Sequence, residues 1–335
     1  MLMAHPSLFT TRMTEPRQIG YHCSHEQYAP DELLQLARAA ATAGFDAAMC
    51  SDHFAPWTSA QNHSGATWPW LGAALQATQL SFGTVSAPGY RYHPAVLAQC
   101  AATLAVMYPD RLWLALGSGE ALNEHIATTQ WPEKPERNER LRRCADAIRA
   151  LWAGEVVTDE SIGVFEAQLY DRPERPPLIV GAALTPQTAE WAGGWADALV
   201  TTAQDRDAMQ QMIDAFHRGG GKEKPMFLQA VLSYAENDDA ALDAAHEQWA
   251  PLAIDTGKLA TLRLPHEFEA AGADVSRETV HEKFRISSNL EKHVRWIEED
   301  FAMGFSRVYL HNANRTNQRE FIDTFAREVL PAVRR

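Results

Sequence analysis

The feature that most constrains this chain is a repeating beat. Short apolar runs of strand length alternate with longer helical stretches from residue 18 to the C-terminus. The runs at 18–22, 45–50, 80–86, 112–116, 177–182, 198–202, 226–234 and 307–311 predict eight strands. Helical stretches at 31–43, 94–107, 136–152, 186–192, 205–217, 238–249 and 318–333 follow most of them. Pro30 ahead of the first helix and Gly44 at its end obey the preference for proline at helix starts and glycine at helix ends; Pro94 and Gly154 repeat it. Strands alternating with helices imply a parallel sheet, and eight is the number that closes a (β/α) barrel. The expected fold is therefore an α/β TIM barrel, with a doubly wound open sheet as the alternative.

A barrel of this kind also suits the length. The 335 residues read as one barrel domain over 17–335, preceded by a disordered extension over 1–16, with Met13 as an alternative start. Three stretches exceed a minimal repeat: 55–72 after strand two, 158–175 after helix four, and 251–282 after strand seven. Loops this long in a compact domain are usually functional. The first and third should roof a pocket at the C-terminal end of the strands. The second, following a helix, reads as a β-rich excursion at the opposite end.

Composition removes several classes of partner. Thirty Lys and Arg against 43 Asp and Glu give a net charge of −13 with no basic stripe, which disfavours nucleic acid. No run of about 18 apolar residues offers a membrane span. The first 16 residues have neither the basic start nor the apolar core of a secretory signal. Cys23, Cys50, Cys100 and Cys144 contain no CxxC pair, so a reduced, cytoplasmic protein is expected. Cys23 and Cys50 end neighbouring strands and read as structural thiols.

In a barrel the strand ends surround one pocket. Strand one ends in His22, Cys23, Ser24 and His25. Strand two runs into Asp52, His53 and Trp57, strand three into Val85 and Ser86, strand four into Gly117, Glu120 and Asn123, and strand five into Gly181, Ala182 and Ala183. A strand-end His beside an Asp suits proton transfer, or merely a hydrogen-bonded turn. A glutamate in a water-poor pocket can hold a raised pKa. Trp57 can stack on a flat ring. Small residues over 181–185 with a helix starting at Pro186 could cradle a phosphate, or simply make a tight turn. No carboxylate stands at metal-ligand spacing from the histidines, so no metal is expected.

The segments IGYHCSHEQYAP, GFDAAMCSDHFAPW, FGTVSAPGYRYHPAVLAQ, YPDRLWLALGSGEALNE and HNANRTNQREFIDTFAREVLP resemble the bacterial luciferase-like flavin and deazaflavin oxidoreductases, nearest to the deazaflavin (F420)-dependent glucose-6-phosphate dehydrogenase group. The likeness runs from about residue 18 to the end. It implies a TIM barrel, a homodimer, and FMN or coenzyme F420 as cofactor. It implies that His53, Glu120 and Trp57 are catalytic, and that Asp52, Val85, Ser86, Asn123, Gly181, Ala182 and Ala183 bind the cofactor. A cis peptide would join Val85 to Ser86. Lys258 and Lys283 fall near two of the group's three phosphate-binding positions, and His22 replaces a separate lysine-like residue at the end of strand one. The third basic position carries Gln204 instead. The activity implied is hydride transfer between cofactor and a small substrate, sugar-like in the nearest relatives. The alternatives are a monooxygenase using reduced FMN from a partner flavin reductase, a non-catalytic ligand-binding barrel, and a cofactor-free isomerase or hydrolase.

Overall fold

The computed structural model describes residues 17–254 and 256–335; the expectations for 1–16, disorder and the Met13 start alike, lie outside them. The strands are β1 (Gln18–Cys23), β2 (Ala47–Ser51), β3 (Ser81–Ser86), β4 (Leu112–Leu116), β5 (Leu178–Ala182), β6 (Ala198–Thr202), β7 (Met226–Ser233) and β8 (Arg307–Asn312). All pair in parallel, β8 returns to β1, and β6 pairs with β7, so the sheet closes as the beat predicts. Both faces of such a sheet are covered, which is why LWLAL in β4 is apolar and buried throughout.

The surrounding helices are α1 (Pro30–Ala43), α2 (Thr67–Ala77), α3 (Pro94–Met107), α4 (Lys134–Ala153), α5 (Pro186–Gly193), α6 (Arg206–Phe216), α7 (Asp238–Trp249), α8 (Leu290–Ala302) and α9 (Gln318–Thr324). Gly44 and Gly154 close α1 and α4 in the left-handed conformation, at φ 91° and 92°. Three departures from the sequence reading matter. Helix α2 fills part of the stretch taken as a long loop. The helix feeding β8 is α8, so α7 belongs with the excursion above the barrel. The terminal helix does not run unbroken to 333: a π-helical segment, Phe325–Val329, follows α9. The excursion after α4 is an antiparallel hairpin of Val157–Asp159 and Val164–Ala167, as expected. It does not stay at the far end, because the His93 ring Nε2 meets the Gly163 carbonyl at 2.8 Å, at the start of α3.

The lower barrel is plugged by aromatic rings. Trp113 packs on Phe227 and Tyr309, and its Nε1 donates to the Tyr309 hydroxyl at 3.0 Å. Gly83 and Gly20 make room for the plug: a Cβ would fall 1.7 Å from the Trp113 ring and 2.2 Å from the Tyr309 ring. Above this plug the inward positions change character. Val85, Gly117, Ala182, Thr202, Gln229 and His311 stay half-exposed around a mouth at the strand C-termini. Cys23 and Cys50 sit opposite one another in register, buried and free, with burial raising both thiols above the ordinary range; they are structural, as expected. No helix among the described residues is long and apolar enough to cross a membrane.

Candidate active site

The site is built where β1, β2 and β4 end. Alternation along β2 turns Ser51 and His53 inward and Asp52 outward. His53 Nδ1 forms an ion pair with Glu26 Oε1 at 3.0 Å, and its Nε2 lies 3.9 Å from Glu120 Oε2. Ser24 Oγ and Ser51 Oγ donate to Glu26 Oε2 at 2.7 and 2.8 Å. Burial by itself would push Glu26 up. The facing His53 charge and these hydrogen bonds outweigh it, and hold the carboxyl below its ordinary value. Burial likewise opposes the charged form of His53, but the attraction of Glu26, with its hydrogen bond and a further pull from Glu120, raises it to about 9. His53 is thus an imidazolium at neutral pH. Burial raises Glu120, against the pull of His53.

Trp57 stands edge-on to His53, ring centroids 5.1 Å apart, and is backed by Phe268 at 5.2 Å. Phe268 belongs to the excursion after β7, which therefore does roof the mouth. Ser59 N donates to Glu269 Oε1 at 2.7 Å, and Ala121 N to the Ala260 carbonyl at 3.3 Å. Asn123 ties the loops together: its Oδ1 accepts from Phe54 N at 2.9 Å and its Nδ2 donates to Glu120 Oε2 at 3.4 Å.

Asp52 faces away from this group into a buried cluster. Ser86 Oγ donates to its Oδ2 at 2.5 Å, and Tyr92 OH and the Arg91 guanidinium reach its Oδ1 at 3.0 and 3.3 Å. Arg91 also donates its backbone N–H to Glu124 Oε2 at 2.8 Å. All peptide bonds among the described residues are trans, which corrects the cis bond expected between Val85 and Ser86. Strand β3 keeps its regular pairing with Leu116 through Ser86, and the Ser86–Asp52 bond holds that end extended. Val85 lies half-exposed at the mouth.

The small residues after β5 divide by face. Ala182 looks inward. Gly181 faces α5, where a Cβ would meet Ala192 at 2.7 Å. Ala183 is buried in the outer layer. Thr185 caps α5, accepting from Thr188 N at 3.3 Å, as the sequence suggests. His22 is buried inside the upper barrel, its ring against His311 with centroids 4.1 Å apart and planes tilted by 55°. Lys258 and Lys283 are exposed on the excursion, Lys258 on the short helix next to the Ala260 contact and Lys283 donating to the Ile254 carbonyl at 3.1 Å. Asp205, beside Gln204, is spent on capping α6 through Ala208 N at 2.8 Å.

Sequence reasoning missed Glu26. Its signal was the polar run CSHEQ placed directly after an apolar strand. It also missed Gln229 and His311, inward polar residues on the otherwise apolar strands β7 and β8. No cluster of three or more His, Cys, Asp or Glu able to hold a metal exists among the described residues.

A closed parallel barrel whose C-terminal mouth sets an imidazolium between two carboxylates, beside an open floor of small residues, is the architecture of an α/β-barrel enzyme with acid–base chemistry. The chain belongs to the luciferase-like monooxygenase family, whose profile matches residues 13–306. It is thereby an oxidoreductase. Its relatives include the F420-dependent glucose-6-phosphate dehydrogenases of Microbacterium testaceum, 35% identical over 96% of this chain and 99% of that one, and of Beutenbergia cavernae, 34% identical over 95% and 97%. Among solved structures, an F420-dependent secondary alcohol dehydrogenase in complex with an F420-acetone adduct superposes with a TM-score of 0.88 at 30% identity, over 96% of this chain and all of that one. The monooxygenase RslO1 of Streptomyces bottropensis shares the fold, with a TM-score of 0.71 at 18% identity.

Proposed function

We propose that this protein is an F420-dependent dehydrogenase acting on a small hydroxylated substrate. The observation that carries the reading is the 3.9 Å gap between His53 Nε2 and Glu120 Oε2, under Trp57. That gap is too long for a direct hydrogen bond and is suited to a bridging hydroxyl. A substrate hydroxyl placed there donates to Glu120 and accepts from His53 Nε2–H. Glu120, when ionised, takes the hydroxyl proton as the carbonyl forms. His53, kept charged by Glu26, stabilises negative charge that builds on the oxygen. Asn123 holds Glu120 in place, and Trp57 backed by Phe268 walls the His53 side of the gap.

The residues fit a flat ring. A Cβ built on Gly117 would enter the space between Ala182 and Val85, touching them only at 3.8 and 4.0 Å. Gly117, Ala182 and Val85 would floor the ring, and the first turn of α5 behind Thr185 would receive a phosphate. F420, when bound, supplies the hydride acceptor. Gly181 and Asp52 would support this floor from behind, and Ser86 and Ala183 would shape it through the backbone. His22, buried with its Nε2 bonded to Gln229 at 3.3 Å, would act on the substrate region only through that residue. The exposed Lys258 and Lys283 would sit at the rim, where a phosphorylated sugar is the natural occupant; the Gln204 and Asp205 positions give such a phosphate no third cation. A homodimer and a cytoplasmic location belong to the same reading.

The test is a titration of the purified protein with F420 and with FMN, followed by loss of oxidised F420 absorbance on adding secondary alcohols, glucose or glucose 6-phosphate. Tight F420 binding with bleaching is expected. Tight FMN with weak F420, and oxygen consumption once a flavin reductase is supplied, would replace this reading with the monooxygenase one. Binding of both without turnover would favour a ligand-binding barrel.

A further inference from the structure

The upper layer of the barrel carries a hydrogen-bond chain whose direction can be worked out. It starts at Ala313, whose backbone carbonyl can only accept. Gln27 Nε2 meets that carbonyl at 3.1 Å and Gln248 Oε1 at 3.4 Å, so the Gln27 amide is fixed with its NH2 on that side. Gln27 Oε1 then faces His311 Nε2 at 3.1 Å and requires the proton to be on Nε2. His311 is held neutral by burial, which lowers it to about 4. Its Nδ1 is therefore an acceptor, and Gln229 Nε2 donates to it at 3.0 Å. The second hydrogen of Gln229 Nε2 points to His22 Nε2 at 3.3 Å. His22 is also kept neutral by burial and by the neighbouring His311, and with its Nε2 accepting from Gln229 its proton is placed on Nδ1, a buried atom that has no hydrogen-bond partner among the described residues.

Both hydrogens of the Gln229 amide are consumed. Its Oε1 takes no hydrogen bond among the described residues, and it is not among the buried unpaired atoms of a residue that is half-exposed at the mouth. Resting on the dehydrogenase reading above, we propose that Gln229 is a specificity-determining residue, its carbonyl oxygen locked toward the mouth to accept a hydrogen bond from a second, uncharged hydroxyl of the substrate. An amide free to rotate would take a donor or an acceptor with equal ease. This one takes only a donor, because reversing it would set its oxygen against the unprotonated His311 Nδ1, whose state is fixed through Gln27 by the Ala313 carbonyl. A phosphate or carboxylate at this point would meet an oxygen with no hydrogen to offer, so the group recognised here is not an anion. The substrate class is a polyol or hydroxy-ketone rather than a simple alcohol.

Two measurements on the full chain test this. The first is side-chain nitrogen NMR of the cofactor-free protein at pH 7. The proposal requires His311 in the Nε2–H form and His22 in the Nδ1–H form; the opposite pair, or an imidazolium at either, overturns it. The second uses the F420-loaded enzyme and compares kcat/KM for 2-propanol, 1,2-propanediol and glycerol in wild type and Gln229→Leu. The substitution is expected to lower kcat/KM for the two polyols about tenfold more than for 2-propanol, mostly through KM, as loss of one hydrogen-bonded hydroxyl predicts. An equal loss on all three, or none, overturns the proposal. If wild type bleaches F420 with no alcohol at all, the dehydrogenase reading fails, and the NMR forms alone then decide whether the locked amide exists.

Discussion

At the scale of single residues the site turns on Glu26. The carboxylate has only 4% of its side-chain surface exposed, and it meets His53 Nδ1 at 3.0 Å. Removing its charge leaves burial as the main influence on the imidazole, and burial favours the neutral form. Glu26→Gln should therefore bring His53 from about 9 to below its ordinary 6.5, as read by proton NMR titration of the His53 ring. The same pairing sets a pH window for stability. His53 binds its proton more tightly folded than unfolded, so its contribution is full below pH 6.5 and disappears as pH rises through about 9. Glu26→Gln should cost about 2 kcal/mol in denaturant unfolding at pH 7. A variant with an unchanged His53 titration would refute the clamp. Glu120 and His53 act on the reaction, so Glu120→Gln and His53→Ala should each lower kcat by about a hundredfold or more while changing the F420 dissociation constant far less. Wild-type rates in both would remove them from the chemistry.

At the scale of elements, two glycines on neighbouring strands do different work. Gly83 on β3 lies against the Trp113 ring, and a Cβ there would overlap it at 1.7 Å. The plug is closed on the other sides by Phe227 and Tyr309, so Trp113 has nowhere to go. Gly83→Ala should destabilise the barrel by about 3 kcal/mol, at the upper end for overpacking. Gly117, just past β4, faces open space, and Gly117→Ala should leave the unfolding midpoint nearly unmoved while weakening F420 binding at least tenfold. Equal stability loss in the two variants would mean that the mouth is not an open cradle. These contrasts also mark what was legible in the sequence. Barrel strands are buried on both faces and read as plain apolar runs, so all eight appear at nearly their observed bounds. Helix α2 does not stand out, because TWPWLGAALQA is apolar on most sides and carries Pro69 in its first turn. Helix α8 is amphipathic, but α7 already filled its place in the repeat. His53, Trp57, Glu120 and Asn123 come together as strand-end positions should. Glu26 was hidden because its meaning comes from a partner 27 residues away on the next strand. The outward turn of Asp52 and Gly181 follows from strand alternation, which motif matching does not weigh.

At the scale of the whole molecule, the buried histidines decide how the fold responds to acid. His25 and His293 are fully buried, and burial lowers both to about 4; His311 is brought to about 4 in the same way, and His22 is also lowered well below 6.5. Each of these is neutral in the folded protein at pH 5, whereas the unfolded chain has already taken up the proton. The stability they allow is therefore complete above pH 6.5 and is lost as pH falls toward 4. Each such group removes about 1.4 kcal/mol per pH unit inside that interval. Glu120, Glu124 and Asp300, raised by burial, act in the opposite sense by taking protons earlier in the folded state, and they offset part of the loss. Glu26, held low, adds to the loss once the pH drops below its ordinary 4.5. With His53 favouring the folded state only up to about 9, the two trends place the stability maximum near pH 6.5 to 7. Guanidinium unfolding at pH 5, 6.8 and 9 should accordingly give the highest midpoint at 6.8 and the steeper fall on the acid side. His293→Phe, away from the mouth and packed against Tyr234, Trp296 and Phe325, should flatten the acid limb without touching the alkaline one. A midpoint at pH 5 equal to that at 6.8 would mean that these imidazoles are not held neutral in the folded barrel.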